Sequence, residues 1–315
     1  MPNRLTLSIL FLLLVGPGPA GLAGPREKHQ ATKQQSGSLA VNGTKLYYRI
    51  LGSGTPLLIV HGGPGLDHTY FLPQMRLLAQ HYRLIFFDQR ASGKSSVDVD
   101  SSSMNVNTFV EDIEGVRRAL HLGKINLLGH SWGGLLAMRY ALAHPENLST
   151  LILVTPTPAT SVMRDSSFSI MKRNRSTKDS LEMARIVASP GFKESSPAAM
   201  ARFFRLLFRP VFAHRNEADS LTLQFPADYS KRMKMVNYLY RDASLKSYNL
   251  LEGLRQVQCR ALIVGGDHDM VPRAALEQLH HALAGSRLVI LKDCGHFPFV
   301  EAPEEFAKAL HGFLR

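Results

Sequence analysis

Ile125-Asn126-Leu127-Leu128-Gly129-His130-Ser131-Trp132-Gly133-Gly134 is the stretch that decides how this chain is read. The apolar run Ile125–Leu128 has the composition of a buried strand, and Gly134–Ala143 reads as a helix. Between them stands Gly-x-Ser-x-Gly. A serine at so sharp a strand-to-helix turn is held in a strained backbone. Its hydroxyl projects from the sheet edge, and small residues on either side avoid collision. Ser131 is therefore a candidate nucleophile.

A serine nucleophile generates a tetrahedral oxyanion, and His61-Gly62-Gly63-Pro64-Gly65 supplies what that anion needs. The segment follows a second apolar run, Pro56–Val60, and its glycines let backbone N–H groups face a ligand with no Cβ in the way. In this motif class one donor is the residue after the nucleophile, here Trp132, and the other comes from the loop after the third strand, here Gly63. The nucleophile also needs a base and a carboxylate to orient that base. Two later strand patterns end in such residues: Leu262–Gly266 leads into Asp267-His268-Asp269, and Leu288–Leu291 leads into Asp293-Cys294-Gly295-His296. His296 is the expected base. Asp269 is preferred over Asp267 as the orienting acid, because it stands near the loop's exit at Pro272 and can swing towards the next strand's end. The order Ser, Asp, His is that of the α/β-hydrolases.

Together, His61-Gly62-Gly63-Pro64-Gly65, Asp88-Gln89-Arg90-Ala91-Ser92-Gly93-Lys94-Ser95, Ser131-Trp132-Gly133-Gly134 and Gly295-His296 followed by Pro303 resemble the proline iminopeptidase family of α/β-hydrolases. The resemblance runs from about Val41 to the C-terminus, outside the middle of the chain. It implies a mainly parallel, doubly wound sheet with an inserted helical cap. By the same resemblance Ser131, Asp269 and His296 are the catalytic set, with Gly63 and Trp132 as the oxyanion hole. Aminopeptidases of the family read the substrate's amino terminus with acidic residues, some from the cap. The middle of this chain departs from that pattern: between Pro158 and Val257 basic residues outnumber acidic ones, and Glu217 is the one nominated substrate-binding carboxylate.

Strand and helix alternation elsewhere supports the same architecture. Leu39–Val41 and Lys45–Leu51 read as a hairpin turning at Asn42-Gly43. Tyr82–Asp88 and Leu151–Val154 read as strands, Val106–Leu120 as an amphipathic helix, and Pro303–Phe313 as a closing helix with Pro and Glu-Glu at its start. The region 158–257 lacks the alternation, and its Met- and Phe-rich segments Met200–Phe212 and Tyr229–Tyr240 read as helices of a cap. The expected organisation is a leader at 24–38, hydrolase core at 39–157 and 258–315, and the cap between.

The 315 residues, 45% of them hydrophobic, suffice for one α/β domain with an insertion. The net charge of +12 is dispersed among apolar residues with no nucleic-acid motif, so it reads as a solvated basic surface. At the amino terminus, Leu5–Val15 is apolar and too short to span a bilayer of about 30 Å. With the small residues Gly16–Gly24 behind it, it reads as a secretory signal ending near residue 23 and places the protein outside the cytoplasm. Cys259 and Cys294 are expected as free thiols, since they fall at opposite ends of neighbouring strands. No metal-ligand spacing or phosphate loop is present in the motifs, so neither metal nor cofactor is expected. His61 and His130 read as structural hydrogen-bonders, and Asp88-Gln89-Arg90 as a brace for the oxyanion loop. The functional expectation is an exported serine hydrolase acting on a small molecule or short peptide, an aminopeptidase first. The alternatives are a carboxylesterase or lactonase and a non-catalytic binding protein of the same fold.

Overall fold

The computed structural model describes Gln34–Arg315. The signal segment and residues 24–33 of the expected leader lie outside the described residues. Eight strands form one sheet in the order β1-β2-β4-β3-β5-β6-β7-β8. They are β1 Gln34–Val41, β2 Thr44–Leu51, β3 Thr55–Val60, β4 Tyr82–Phe87, β5 Ile125–His130, β6 Leu148–Val154, β7 Arg260–Gly266 and β8 Ser286–Leu291. The β1–β2 and β2–β4 pairs are antiparallel and every other pair is parallel, the doubly wound sheet expected from the alternation of elements.

The hairpin turns at Asn42 and Gly43, both with positive φ (44° and 76°), as a tight two-residue turn requires. Its first strand begins earlier than expected. Gln34–Ser38, which composition places in the leader, pair with Tyr47–Leu51. They are polar because they lie on the exposed edge of the sheet, where a ladder of backbone hydrogen bonds needs no apolar side chains.

Successive residues of the central strands enter opposite cores. Leu58, Val60, Leu127, Leu151 and Ile263 pack on one face with α1 (Val106–Ala119), α2 (Trp132–Ala143) and α9 (Arg273–Ala282). Leu57, Ile59, Leu128, Ile152 and Leu262 pack on the other with α11 (Pro303–Leu314) and the turns of 68–80. This two-sided burial is why the parallel strands read as continuous apolar runs rather than alternating ones.

Between β6 and β7 the chain forms α3 (Ser161–Arg173), α4 (Thr177–Ala188), α5 (Pro190–Lys193), α6 (Pro197–Phe208), α7 (Tyr229–Leu239) and α8 (Leu251–Leu254). Thr160, Ser176 and Ser196 cap the starts of α3, α4 and α6 through their side-chain oxygens. α10 (Pro298–Glu301) sits between β8 and α11. Because β3, β4, β5, β7 and β8 run the same way, the segments carrying His61, Asp88, Ser131, Asp269 and His296 all leave the sheet at its carboxyl edge, where open α/β sheets build their sites. No helix among the described residues is long and apolar enough to cross a membrane. Cys259 and Cys294 are both free thiols.

Candidate active site

Ser131 follows β5 with φ 54° and ψ −119°, a strained conformation for a residue with a side chain. Its flanking glycines are demanded by close approach. A Cβ on Gly129 would meet the carbonyl oxygen of Gly133 at 2.3 Å, and one on Gly133 would meet that of Val60 at 2.2 Å. The turn is locked by backbone bonds from Ser131 N–H to the carbonyl of Val154 and from Thr157 N–H to the carbonyl of Ser131, at 3.1 and 2.9 Å.

Three sequence-predicted side chains come together here. His296 Nε2 lies 2.9 Å from Ser131 Oγ, and His296 Nδ1 lies 2.8 Å from Asp269 Oδ1. The His296 and Asp269 side chains are shielded from solvent, at 3% and 0% exposure. In this line a carboxylate holding Nδ1–H leaves Nε2 free to take the serine proton. Asp267 is not part of it. Its Oδ1 accepts the N–H of Cys294 at 3.1 Å and contacts His268 Nδ1 at 2.8 Å, bracing the loop that leads to His296. Asp267, His268 and Asp293 also bring three ligand-type atoms within 4.8 Å of one another, on exposed residues at the protein surface.

The loop 61–65 lies directly against the serine, since a Cβ on Gly62 would stand 3.1 Å from Ser131 Cβ. The N–H of Gly62 is already donated to Tyr70 Oη at 2.5 Å. Trp132 opens α2, where a backbone N–H has no intrahelical acceptor. Its indole Nε1–H donates to Gln89 Oε1 at 2.9 Å, and Gln89 Nε2–H donates to the carbonyl of His61 at 2.7 Å. Gln89 N–H in turn donates to His61 Nε2 at 3.0 Å, so His61 Nδ1–H is left to donate to the carbonyl of Gly62 at 2.7 Å. Burial lowers the His61 pKa to about 4, which keeps the ring neutral and this pattern intact. Gln89 thus ties the Gly63 loop to Trp132, the two expected oxyanion donors.

The brace continues beneath. Asp88 accepts from His68 N–H, His68 Nδ1–H and Lys94 N–H at 3.0, 2.7 and 2.9 Å. Burial opposes its ionisation, but the hydrogen bond and charge of His68 outweigh burial and hold the carboxyl below its usual range. Beside it, burial and the Asp88 charge raise Asp67 to about 6. Arg90 is 1% exposed and makes a fork to Asp112, with both bonds at 2.7 Å.

Three contributors had no signal in the sequence reading. Tyr70 Oη bonds His130 Nδ1 at 2.8 Å, and His130 Nε2 bonds the carbonyl of His296 at 2.8 Å. Thr155 Oγ1 donates to that same carbonyl at 2.9 Å. Glu301, in α10, accepts from the N–H groups of Ala213, Gly295 and Phe297 at 2.8 to 2.9 Å, clamping the loop that carries His296. A glutamate five residues beyond the histidine, at the foot of an apolar helix turn, is the one trace it leaves in the sequence.

A cavity of about 600 Å³ opens over Ser131 and His296, lined by the glycine loop and the start of α2, by side chains of α3 and α6, by Met233 of α7, and by Met270, Val271 and Phe297. Among the described residues that line it, the one carboxylate is Asp165, and it is paired with Arg164 at 2.7 Å. Glu217, nominated as the amino-terminus receptor, is not in the lining. It sits on the turn 215–220, beyond α6, with its Oε2 buried and without a hydrogen-bond partner. The side chains that face the serine from the region 158–257 come instead from α3, the end of α6 and Met233 of α7.

Residues 55–303 match the model of the alpha/beta hydrolase fold family. The chain belongs to that family. It is 28% identical to the proline iminopeptidase of Lactobacillus crispatus strain ST1 over 300 residues, which cover 88% of this chain and 97% of the relative. Among solved structures, an esterase from Exiguobacterium antarcticum superposes with a TM-score of 0.64 at 27% identity, covering 87% of this chain and 97% of that one. A membrane phospholipase A, a bacterial virulence factor, superposes with a TM-score of 0.62 at 25% identity, covering 89% and 86%. This α/β-hydrolase therefore resembles proline iminopeptidases in sequence and carries the machinery of a hydrolase.

Proposed function

We propose that this α/β-hydrolase is a serine hydrolase that cleaves carboxylic esters with an apolar acyl group through an acyl-enzyme. Ser131 Oγ attacks the ester carbonyl while His296 Nε2 takes its proton. Asp269 stabilises the resulting imidazolium, and the N–H groups of Gly63 and Trp132 receive the oxyanion. His296 returns the proton to the departing alcohol. Water, activated by the same imidazole, then releases the acid and frees Ser131.

The observation that carries the choice of substrate is the cavity wall, whose one carboxylate among the described residues, Asp165, is exposed to solvent and paired with Arg164. An aminopeptidase must desolvate a cationic amino terminus, and doing so without a free acidic partner costs several kcal/mol. An ester makes no such demand. The esterase and phospholipase neighbours support this reading. The second reading, an aminopeptidase of proline iminopeptidase type, is favoured by the 28% identical relative of that name. A panel of acyl esters against prolyl and other aminoacyl arylamides separates the two, and faster cleavage of prolyl arylamide overturns the ester reading. The amino-terminal segment 1–23 supports export as part of the same proposal, to be tested by sequencing the amino terminus of the mature protein.

A further inference from the structure

We infer that the acyl group accepted here is an unbranched aliphatic chain of about ten or more carbons, running from Ser131 into the cavity beneath α3, α6 and α7. The inference rests on the ester reading above and names its substrate class. A methylene takes about the space of a water molecule in the liquid, about 30 Å³. A cavity of about 600 Å³ therefore has room for far more than an acetyl or prolyl group.

The chemistry of the wall matches such a chain. Met171, Met233 and Met270 reach the cavity from three separate segments, joined by Phe204 and Phe208 of α6. Methionine is unbranched and polarisable, so a wall rich in it reshapes around a flexible chain without offering it a polar partner. Most polar atoms of the lining belong to two sets, with Ser167, whose hydroxyl donates to the carbonyl of Met163, and Tyr240 standing apart. One is the reacting set around Ser131, His296 and the glycine loop, and Met233 Sδ already touches that loop, 3.0 Å from where a Cβ on Gly65 would stand. The other is the charged set Arg164, Asp165 and Lys246, of which Asp165 and Lys246 are exposed to solvent. A long-chain ester has one polar end and an apolar remainder. A peptide would instead bury several N–H and C=O groups against a wall that leaves them unpaired.

The test is kcat/KM for p-nitrophenyl esters from two to twelve carbons, each below its critical micelle concentration. The ratio of twelve- to two-carbon rates is then repeated in Met171→Trp, and thermal melting confirms that the variant is folded. Each buried methylene contributes about 0.8 kcal/mol, up to about a fourfold gain at 1.36 kcal/mol per decade. The expected result is a rise of at least a hundredfold between two and ten carbons, and a ratio at least tenfold lower in Met171→Trp. An optimum at four carbons or fewer, a flat profile, or a ratio unmoved by the tryptophan overturns the inference. The ester reading is judged separately, by acetate ester cleavage and by fluorophosphonate labelling of Ser131, and it survives a short optimum.

Discussion

Replacing Gln89 by methionine should open the oxyanion hole without touching Ser131, His296 or Asp269. Gln89 is 2% exposed and bridges the two segments: its oxygen holds the indole of Trp132 and its nitrogen holds the carbonyl of His61. Methionine has nearly the same length and fills the space, so packing loss is small. What remains is a buried indole N–H and a buried carbonyl without partners. Each unsatisfied group costs about 1–3 kcal/mol, or about 2–6 kcal/mol for both if neither finds a substitute. Relaxation to recover those bonds moves the Gly63 loop or Trp132, and a displaced oxyanion donor costs roughly 3 kcal/mol of transition-state stabilisation. We expect kcat on an acetate ester to fall about a hundredfold with little change in KM, and the melting temperature to fall as well. A methionine variant that melts early yet keeps kcat within twofold of wild type would show that Gln89 holds the fold and not the hole, refuting the argument.

Ser131→Ala should abolish ester cleavage and fluorophosphonate labelling while the fold survives, and residual labelling elsewhere would remove the serine from its role. Asp269→Asn should lower turnover by about 10⁴ through the wrong imidazole tautomer, whereas Asp267→Asn should act weakly because its carboxylate meets Cys294 N–H and His268 rather than His296; the reverse ranking in kcat transfers the role. Asp67→Asn should stabilise the protein at pH 8 and leave it unchanged near pH 4. Burial and Asp88 raise the Asp67 pKa from 3.8 to about 6. The folded state therefore holds a proton that the unfolded state has released, and stability falls as pH rises from about 4 through 6 and stays lower above. A shift of that size corresponds to up to about 3 kcal/mol. Denaturant titrations of both proteins at the two pH values check the sign, and an asparagine variant less stable at pH 8 contradicts it.

The sheet and the chemical line were legible because each is written locally. Apolar runs bounded by Gly-rich turns mark parallel strands buried on both faces, and a chain in which Ser, Asp and His each follow such a run must bring them to one edge. Gln34–Ser38 were illegible for the opposite reason: an edge strand stabilised by backbone pairing to Tyr47–Leu51 keeps the composition of a linker. Glu217 shows a different limit. Its residue type and basic surroundings fit an amino-terminus receptor, but whether a carboxylate enters the cavity depends on how α3, α6 and α7 settle, which helical periodicity does not specify. The same holds for Tyr70, whose role needs Gly62 and His130 brought to one hydroxyl across 60 residues of sequence.

That hydroxyl has a consequence for how the hole and the base stay in register. Tyr70 accepts from Gly62 N–H and donates to His130 Nδ1, which fixes His130 as the tautomer whose Nε2–H donates to the carbonyl of His296. The oxyanion loop and the histidine loop are thereby joined through one unbroken run of donors and acceptors, and it admits only one orientation. Protonation of His130 would place a hydrogen on Nδ1 and reverse the bond to Tyr70. Burial, reinforced by the neighbouring His296, pushes the His130 pKa well below its ordinary 6.5, so the ring stays neutral across the range in which an imidazole serves as a base. The residue between Gly129 and Ser131 thus stays neutral, and its failure to titrate is what keeps the two halves of the site aligned in the mechanism proposed for His296.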